Sequence, residues 1–242
     1  MIAFFLAFIP ALIAALPLFG SRFIPTHDGE YHIIRFWQFY KMLSAGDWFP
    51  RWAPDLNVGL GVPLFTFNYP LPNYIGSAFH FIGMSFADSF KWSLGLGYLT
   101  AVIWYYLFAK KVFGTKPAIA ATIIFSYIPY WFVYMYVRGS VGEVWAVSFL
   151  MLAFASLAYN KPQTFAIAVG LLILSHNILA MIFVPMLFII ALRIRPMIVG
   201  WIAGVGLAAY FWVPALYERQ FVVGLNTVNY RDHFAALVQI LF

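Results

Sequence analysis

The 242-residue chain is 64% hydrophobic, 21% aromatic and only 9% charged; with a mean hydropathy of +0.87 it lies outside the soluble globular range, and the bilayer is its solvent. Absence of cysteine excludes disulfides, thiolate nucleophiles and Cys-ligated metals, so any metal must use oxygen and nitrogen ligands. The net charge of +6 comes from basic residues that are scattered or flank apolar runs, which fits membrane orientation rather than nucleic-acid binding.

In chain order, residues 1–20 form a first apolar span, without the basic start and small-residue cleavage site of a signal peptide. Residues 21–91 turn polar, aromatic and rich in Pro and Gly, the composition of a large first extracytoplasmic loop. Within it, Glu30 to Leu43 has helical spacing, with Ile33, Ile34, Trp37, Phe39, Tyr40 and Leu43 on an apolar face and Arg35, Gln38 and Lys41 elsewhere. This predicts an interfacial helix. The Pro- and Gly-dense stretch from Gly46 to Tyr74 forbids a long helix until about Ile75, and its aromatics suit the headgroup zone.

Further spans are expected at roughly 92–109, 117–137, 144–159, 163–174, 178–192 and 197–215, which makes an all-α polytopic membrane protein with about seven transmembrane helices. The 163–192 region is short for two crossings; two short helices are preferred over one long span with Ser175-His176-Asn177 buried midway, because the long span would put Arg193 and Arg195 outside. The short basic connectors (Lys110, Lys111 and Lys116; Lys161; Arg193 and Arg195) then share one side, which the positive-inside rule makes cytoplasmic, together with the N-terminus. Segment 216–242 ends outside and reads as the start of a longer region. The same topology places every acid (Asp28, Glu30, Asp47, Asp55, Asp88, Glu143, Glu218, Asp232) and every histidine (His27, His32, His80, His176, His233) on the outer face, although none was used to orient the chain.

Three constellations carry possible chemistry. Thr26-His27-Asp28-Gly29-Glu30-Tyr31-His32 follows the first span. Asp28 and His32, four apart, share a helix face, which suits a proton relay or two ligands of a divalent metal. The plainer alternative is a helix cap at Asp28 with first-turn Glu30 opposite the helix dipole. Arg138-Gly139-Ser140-Val141-Gly142-Glu143 combines a phosphate-gripping arginine with glycines before a helix start, or is a turn with a snorkelling arginine. Ser175-His176-Asn177 sits between undersized spans and reads as a sunken ionisable site or a hydrogen-bonded turn. Arg51, Arg219, Arg231 and His233 add outer-face cations, and His27 has no assigned task.

These segments resemble a known family. A first span, an outer loop opening on an acid, an interfacial helix, a Pro/aromatic loop and more spans look like the GT-C superfamily of polytopic glycosyltransferases. The closer resemblance is to the bacterial and archaeal membrane proteins labelled 6-pyruvoyl-tetrahydropterin-synthase-related. It runs through His27-Asp28-Gly29 with His32, the segment from Phe49-Pro50-Arg51-Trp52 to Asn57, Pro63-Leu64-Phe65, Asn68-Tyr69-Pro70, Arg138-Gly139 with Glu143, and Ser175-His176-Asn177. The resemblance implies a polyprenyl-phosphate-linked sugar donor and an acid serving as general base or as ligand to a divalent metal, Mg or Mn. On this chain Asp28 takes that role with Glu30 as its partner, and Arg138 holds the lipid phosphate. His32 and His176 assist the acid or complete a metal site by chemical inference, and Arg51 is a further donor-side cation. GT-C enzymes commonly have more spans and a soluble C-terminal domain, so a further membrane subunit or C-terminal module is expected beside membrane lipids as partner. The competing expectation is a non-catalytic membrane subunit or lipid flippase.

Overall fold

The computed structural model describes residues 2–222 and is all-helical among them; Arg231, Asp232, His233 and the rest of the 216–242 segment beyond Val222 lie outside the described residues. The first apolar run forms α1 (Ile2–Ala15), extended by a 3₁₀ turn over Leu16–Phe19. Phe5, Leu6, Ile9, Leu12 and Ile13 are exposed on it while Ala7, Ala11 and Ala15 are buried, so the small side chains meet the protein and the large ones face outward, the pattern of a helix in lipid.

The first loop contains α2 (Gly29–Ser44), the short α3 (Leu64–Phe67) and α4 (Leu71–Phe81). Helix α4 begins before the expected Ile75, because Pro72 falls in its opening turn, where a missing N–H breaks no hydrogen bond. The buried face of α2 also differs from the expected one. It runs through His32, Phe36, Gln38, Phe39 and Leu43, whereas Ile34 and Trp37 are exposed. Helix α2 therefore packs one face on α4 and α5 (Phe86–Phe113) and leaves Tyr31, Ile34 and Trp37 on an outer stripe, compatible with an interfacial setting.

Helix α5, 28 residues long, is the central post. Phe90, Leu94, Tyr98 and Val102 lie at helical spacing and are buried against α1, α2 and α8 (Val141–Ala158). Lys91, expected at the end of the loop, is instead inside α5 and 1% exposed. Its ammonium donates to the Gly20 carbonyl at 2.5 Å and the Arg22 carbonyl at 3.2 Å and pairs with Asp88 at 2.9 Å, fastening the exit of the first span to the central helix. Between α5 and α8 come α6 (Thr115–Ser126) and α7 (Pro129–Phe132), the latter continuing as a π-helical turn over Val133–Arg138. The chain bends by 44° at this break, just before Pro129. Beyond α8, a second core joins it to α9 (Pro162–Ser175), α10 (Asn177–Ala191) and α11 (Arg195–Leu207), followed by α12 (Ala209–Glu218) after a 60° bend.

Two helices, α5 and α8, are individually long and apolar enough to cross a membrane, and the count rises to four when each bent pair is one span. The expected 163–192 region divides at His176 into two apolar helices of 14 and 15 residues. Helical membrane architecture thus stands, with fewer full-length spans among the described residues than the expected seven.

Candidate functional site

The opening polar stretch is held in place by a segment far along the chain. The His27 amide donates to the Val137 carbonyl at 2.9 Å and the Asp28 amide to the Arg138 carbonyl at 2.8 Å. This pairing is possible because the π-helical turn presents successive carbonyls outward and Gly139 then reverses the chain with φ +70°. A Cβ on Gly139 would collide with the Thr26 hydroxyl and meet the Phe90 ring, and one on Gly29 would lie 2.5 Å from the same hydroxyl. The two glycines let the two segments close on each other.

The result is a polar cavity of about 140 Å³ lined by Asp28, Tyr31, His32, Arg35, Tyr69, Arg138, Ser140, Glu143 and His176. Four of the expected site residues, Asp28, His32, Arg138 and His176, are brought together here. Glu30 is exposed and not in the lining. Arg51 lies elsewhere, donating to the Tyr210 carbonyl at 3.3 Å and facing Glu218 at 3.6 Å.

Asp28 occupies the N-cap position of α2, yet its carboxylate makes no capping bond. It turns instead to His27, Oδ1 to Nδ1 at 2.7 Å, which gives that exposed imidazole a partner that sequence spacing had left unassigned. His32, one turn into α2, is 3% exposed and lies parallel to the Phe90 ring at 6.1 Å. Burial, reinforced by the Arg35 charge and opposed by Asp28, lowers its pKa from 6.5 to about 3, so the imidazole is neutral at physiological pH.

Arg138 donates to Glu143 at 2.6 Å, a charge-assisted bond. The other Glu143 oxygen is 3.7 Å from His176 Nε2. His176 breaks the chain between α9 and α10 with extended backbone, and its Nδ1 accepts the Leu179 amide at 3.3 Å. A neutral His176 therefore carries its proton on Nε2, toward Glu143. Asn177 fastens this corner to the first loop by donating to the Phe67 carbonyl at 2.8 Å, and the Tyr69 ring stands 5.0 Å from that of His176. Burial raises the Tyr69 phenol pKa, so it remains a neutral donor.

The three expected metal ligands are not all gathered. Asp28 is engaged by His27, Glu30 stands outside the cavity, and among the described residues no group of three or more His, Cys, Asp or Glu side chains could hold an ion. Of the three expected ligands, Asp28 and His32 share the cavity and Glu30 does not. Arg35, Tyr69, Ser140 and Glu143 complete the cavity, although none was among the expected catalytic or ligand residues. Arg35 did carry a signal: it follows Asp28 by seven positions and His32 by three, the spacing of one helical face.

No family model, curated protein or solved structure matches the chain.

Proposed function

We propose that the chain is an integral membrane glycosyltransferase of GT-C type, moving a sugar from a polyprenyl-phosphate-linked donor to a lipid, glycan or protein hydroxyl on the extracytoplasmic face. The supporting observation is one cavity that collects two carboxylates, two arginines and two imidazoles from three remote segments. In this reading the acceptor oxygen forms a bond to the anomeric carbon as the bond from that carbon to the phosphate oxygen breaks. The electron pair leaves with the phosphate, and the acceptor proton passes to Asp28. His27, hydrogen-bonded to Asp28 and exposed, offers the proton a way out to water. Cavity arginines offset the negative charge that grows on the departing phosphate, and neutral His32 shapes the wall without adding charge.

The orientation belongs to the same proposal. With the short basic connectors cytoplasmic, the N-terminus is inside, the apolar helices give about seven crossings, and the cavity opens outside, where a lipid-linked donor is available. Asp28→Asn, reconstituted in proteoliposomes with labelled polyprenyl-phosphate sugar, is expected to lower transfer by about 10²–10⁴-fold, the usual worth of a positioned general base. Full transfer by that variant would end the proposal. A second reading, a non-catalytic lipid-binding subunit or flippase, draws on one observation: Arg138 is already neutralised by Glu143. It predicts donor binding by the wild-type protein with no turnover.

A further inference from the structure

The Arg138–Glu143 pair raises the question of which cavity cation is free to meet an anion. We infer that the cavity contains a phosphate-sized anion site formed by the Arg35 guanidinium, the Ser140 hydroxyl and the opening amides of α8, and that it takes a singly charged phosphate ester. The inference deepens the transferase reading and rests on it for the identity of the ligand.

Three separate features point to the same cavity. Arg35 lines the cavity and, among the described residues, has no hydrogen-bond or carboxylate partner, while Arg138 is held by Glu143. Ser140 also lines the cavity, is 5% exposed, and its hydroxyl has no hydrogen-bond partner among the described residues. A serine immediately before a helix ordinarily uses that hydroxyl to cap it; here it makes no such bond. A buried hydroxyl without a partner is costly, and an oxyanion would satisfy it. Finally, the first bond of the α8 ladder runs from the Val144 amide to the Ser140 carbonyl, which leaves the Gly142 and Glu143 amides at the positive end of an 18-residue helix without a ladder acceptor. Gly142 lacks a Cβ, which lets the Tyr69 ring, itself part of the cavity wall, pack directly against the start of α8.

The preference for one charge follows from the lining. Arg35 and Arg138 balance Asp28 and Glu143, and His32 is neutral. With a single cation left unpaired in a confined space, a phosphodiester is accommodated with less repulsion from the two carboxylates than a diphosphate. Glu143, already within reach of Arg138 and His176, supplies the negative charge that closes the far side of the site to a second phosphate.

The test uses the full chain in nanodiscs of zwitterionic lipid, titrated with a fifteen-carbon prenyl methyl phosphate, a phosphodiester that carries one charge at neutral pH, and followed by ³¹P NMR. Saturable binding is expected that Arg35→Gln weakens at least about tenfold and Ser140→Ala about fivefold, while Glu143→Gln binds at least as tightly as wild type. The matching prenol is expected not to compete. Thermal melting and rescue by Arg35→Lys separate lost binding from lost fold. Competition by inorganic phosphate at equal concentration would support the anion site and assign its ligand to free phosphate rather than a lipid. Wild-type affinity in both Arg35→Gln and Ser140→Ala, or loss in Arg138→Gln alone, would overturn the site; tighter binding of the prenyl diphosphate would overturn its single-charge character. Binding is expected to survive Asp28→Asn, so intact binding without any sugar transfer counts against the transferase alone, and transfer unaffected by Arg35→Gln counts against the site alone.

Discussion

Two neighbouring stretches of the first loop are both polar, aromatic and glycine-bearing, yet one is concave and the other convex. Residues 26–35 wall the cavity. Residues 46–62 form a protruding loop whose Trp48, Val58 and Leu60 are 70%, 100% and 77% exposed. The difference lies in how each is closed. Segment 26–28 pairs through its backbone with residues 137 and 138, so distant helices must meet around it. The protruding loop closes by backbone within itself, through the Ala53–Val62 bridge, and by the hold of Gln38 and Lys41 on Asp55, while its remote contacts, from Phe49 and Arg51 to Tyr210 and Glu218, are made by side chains. A polar cluster becomes an enclosed site when remote parts of the chain exclude water around it, and otherwise stays a surface.

The sharpest way to break this comparison is to make the same backbone error in both places. Gly139 and Gly59 both have positive φ, +70° and +82°, so alanine strains each by roughly 1–2 kcal/mol. At Gly59 nothing lies within 4 Å of the added Cβ, whereas at Gly139 it meets Thr26 and Phe90. Gly139→Ala is therefore expected to add about 1–3 kcal/mol of overpacking and to remove prenyl phosphate binding. Gly59→Ala should cost only the strain and leave binding intact. Melting temperature in detergent, with the same ³¹P titration, reads both; equal effects would mean that the long-range closure does not set the cavity.

Much of the fold was legible because apolar runs, prolines and caps act locally. The break at His176 falls where polar residues interrupt the apolar runs, and α2 starts within one residue of the expected Glu30, whereas the break before Pro129 divides what was expected as one span over 117–137. Less legible was which face of α2 turns inward, since Ile34 and Trp37 are as apolar as the buried Phe36 and only packing on α4 and α5 distinguishes them. Of the residues that line the cavity, Asp28, His32, Arg138 and His176 were singled out by residue type and by the side of the membrane expected for them. Arg35 and Ser140 were not, because an arginine on a polar helix face and a serine beside glycine are ordinary until the π-helical turn brings their segments together. Glu30 misled for the complementary reason: it is close to Asp28 along the chain, but two helical steps, about 200°, point it away.

A smaller contrast concerns acid. His32 is buried and neutral, with its pKa near 3 against 6.5 when unfolded. Between those values the unfolded state binds the extra proton, so stability rises with pH across the window, by at most about 1.36 kcal/mol per unit, and levels off above 6.5. Lowering the pH from 7 to 5 should cost about 2 kcal/mol through this residue, and His32→Phe should flatten the slope in detergent melting curves. The protruding loop should not respond there. Hydrogen bonds from Lys41 and Gln38 hold the Asp55 pKa below 3.8, so its contribution is complete above that value and is lost only as pH falls through the lower folded pKa. A melting slope unchanged by His32→Phe would show that the imidazole is not buried neutral.

The least effect is expected at Arg51, the cation of the convex loop. Its side chain is 44% exposed and Glu218 is 3.6 Å away, itself 38% exposed, so water and salt screen the pair and its contribution to stability is small. The Tyr210 carbonyl contact at 3.3 Å is long for a hydrogen bond and adds little. Arg51→Gln should therefore leave the melting temperature nearly unchanged and alter prenyl phosphate affinity less than about twofold, within the range usual for surface substitutions. The measurement matters because Arg51 and Arg35 are the same residue type in the same loop, separated chiefly by closure. If Arg51→Gln weakened binding as much as Arg35→Gln, the ligand would have to reach both walls, and the convex loop would belong to the site as its outer lip.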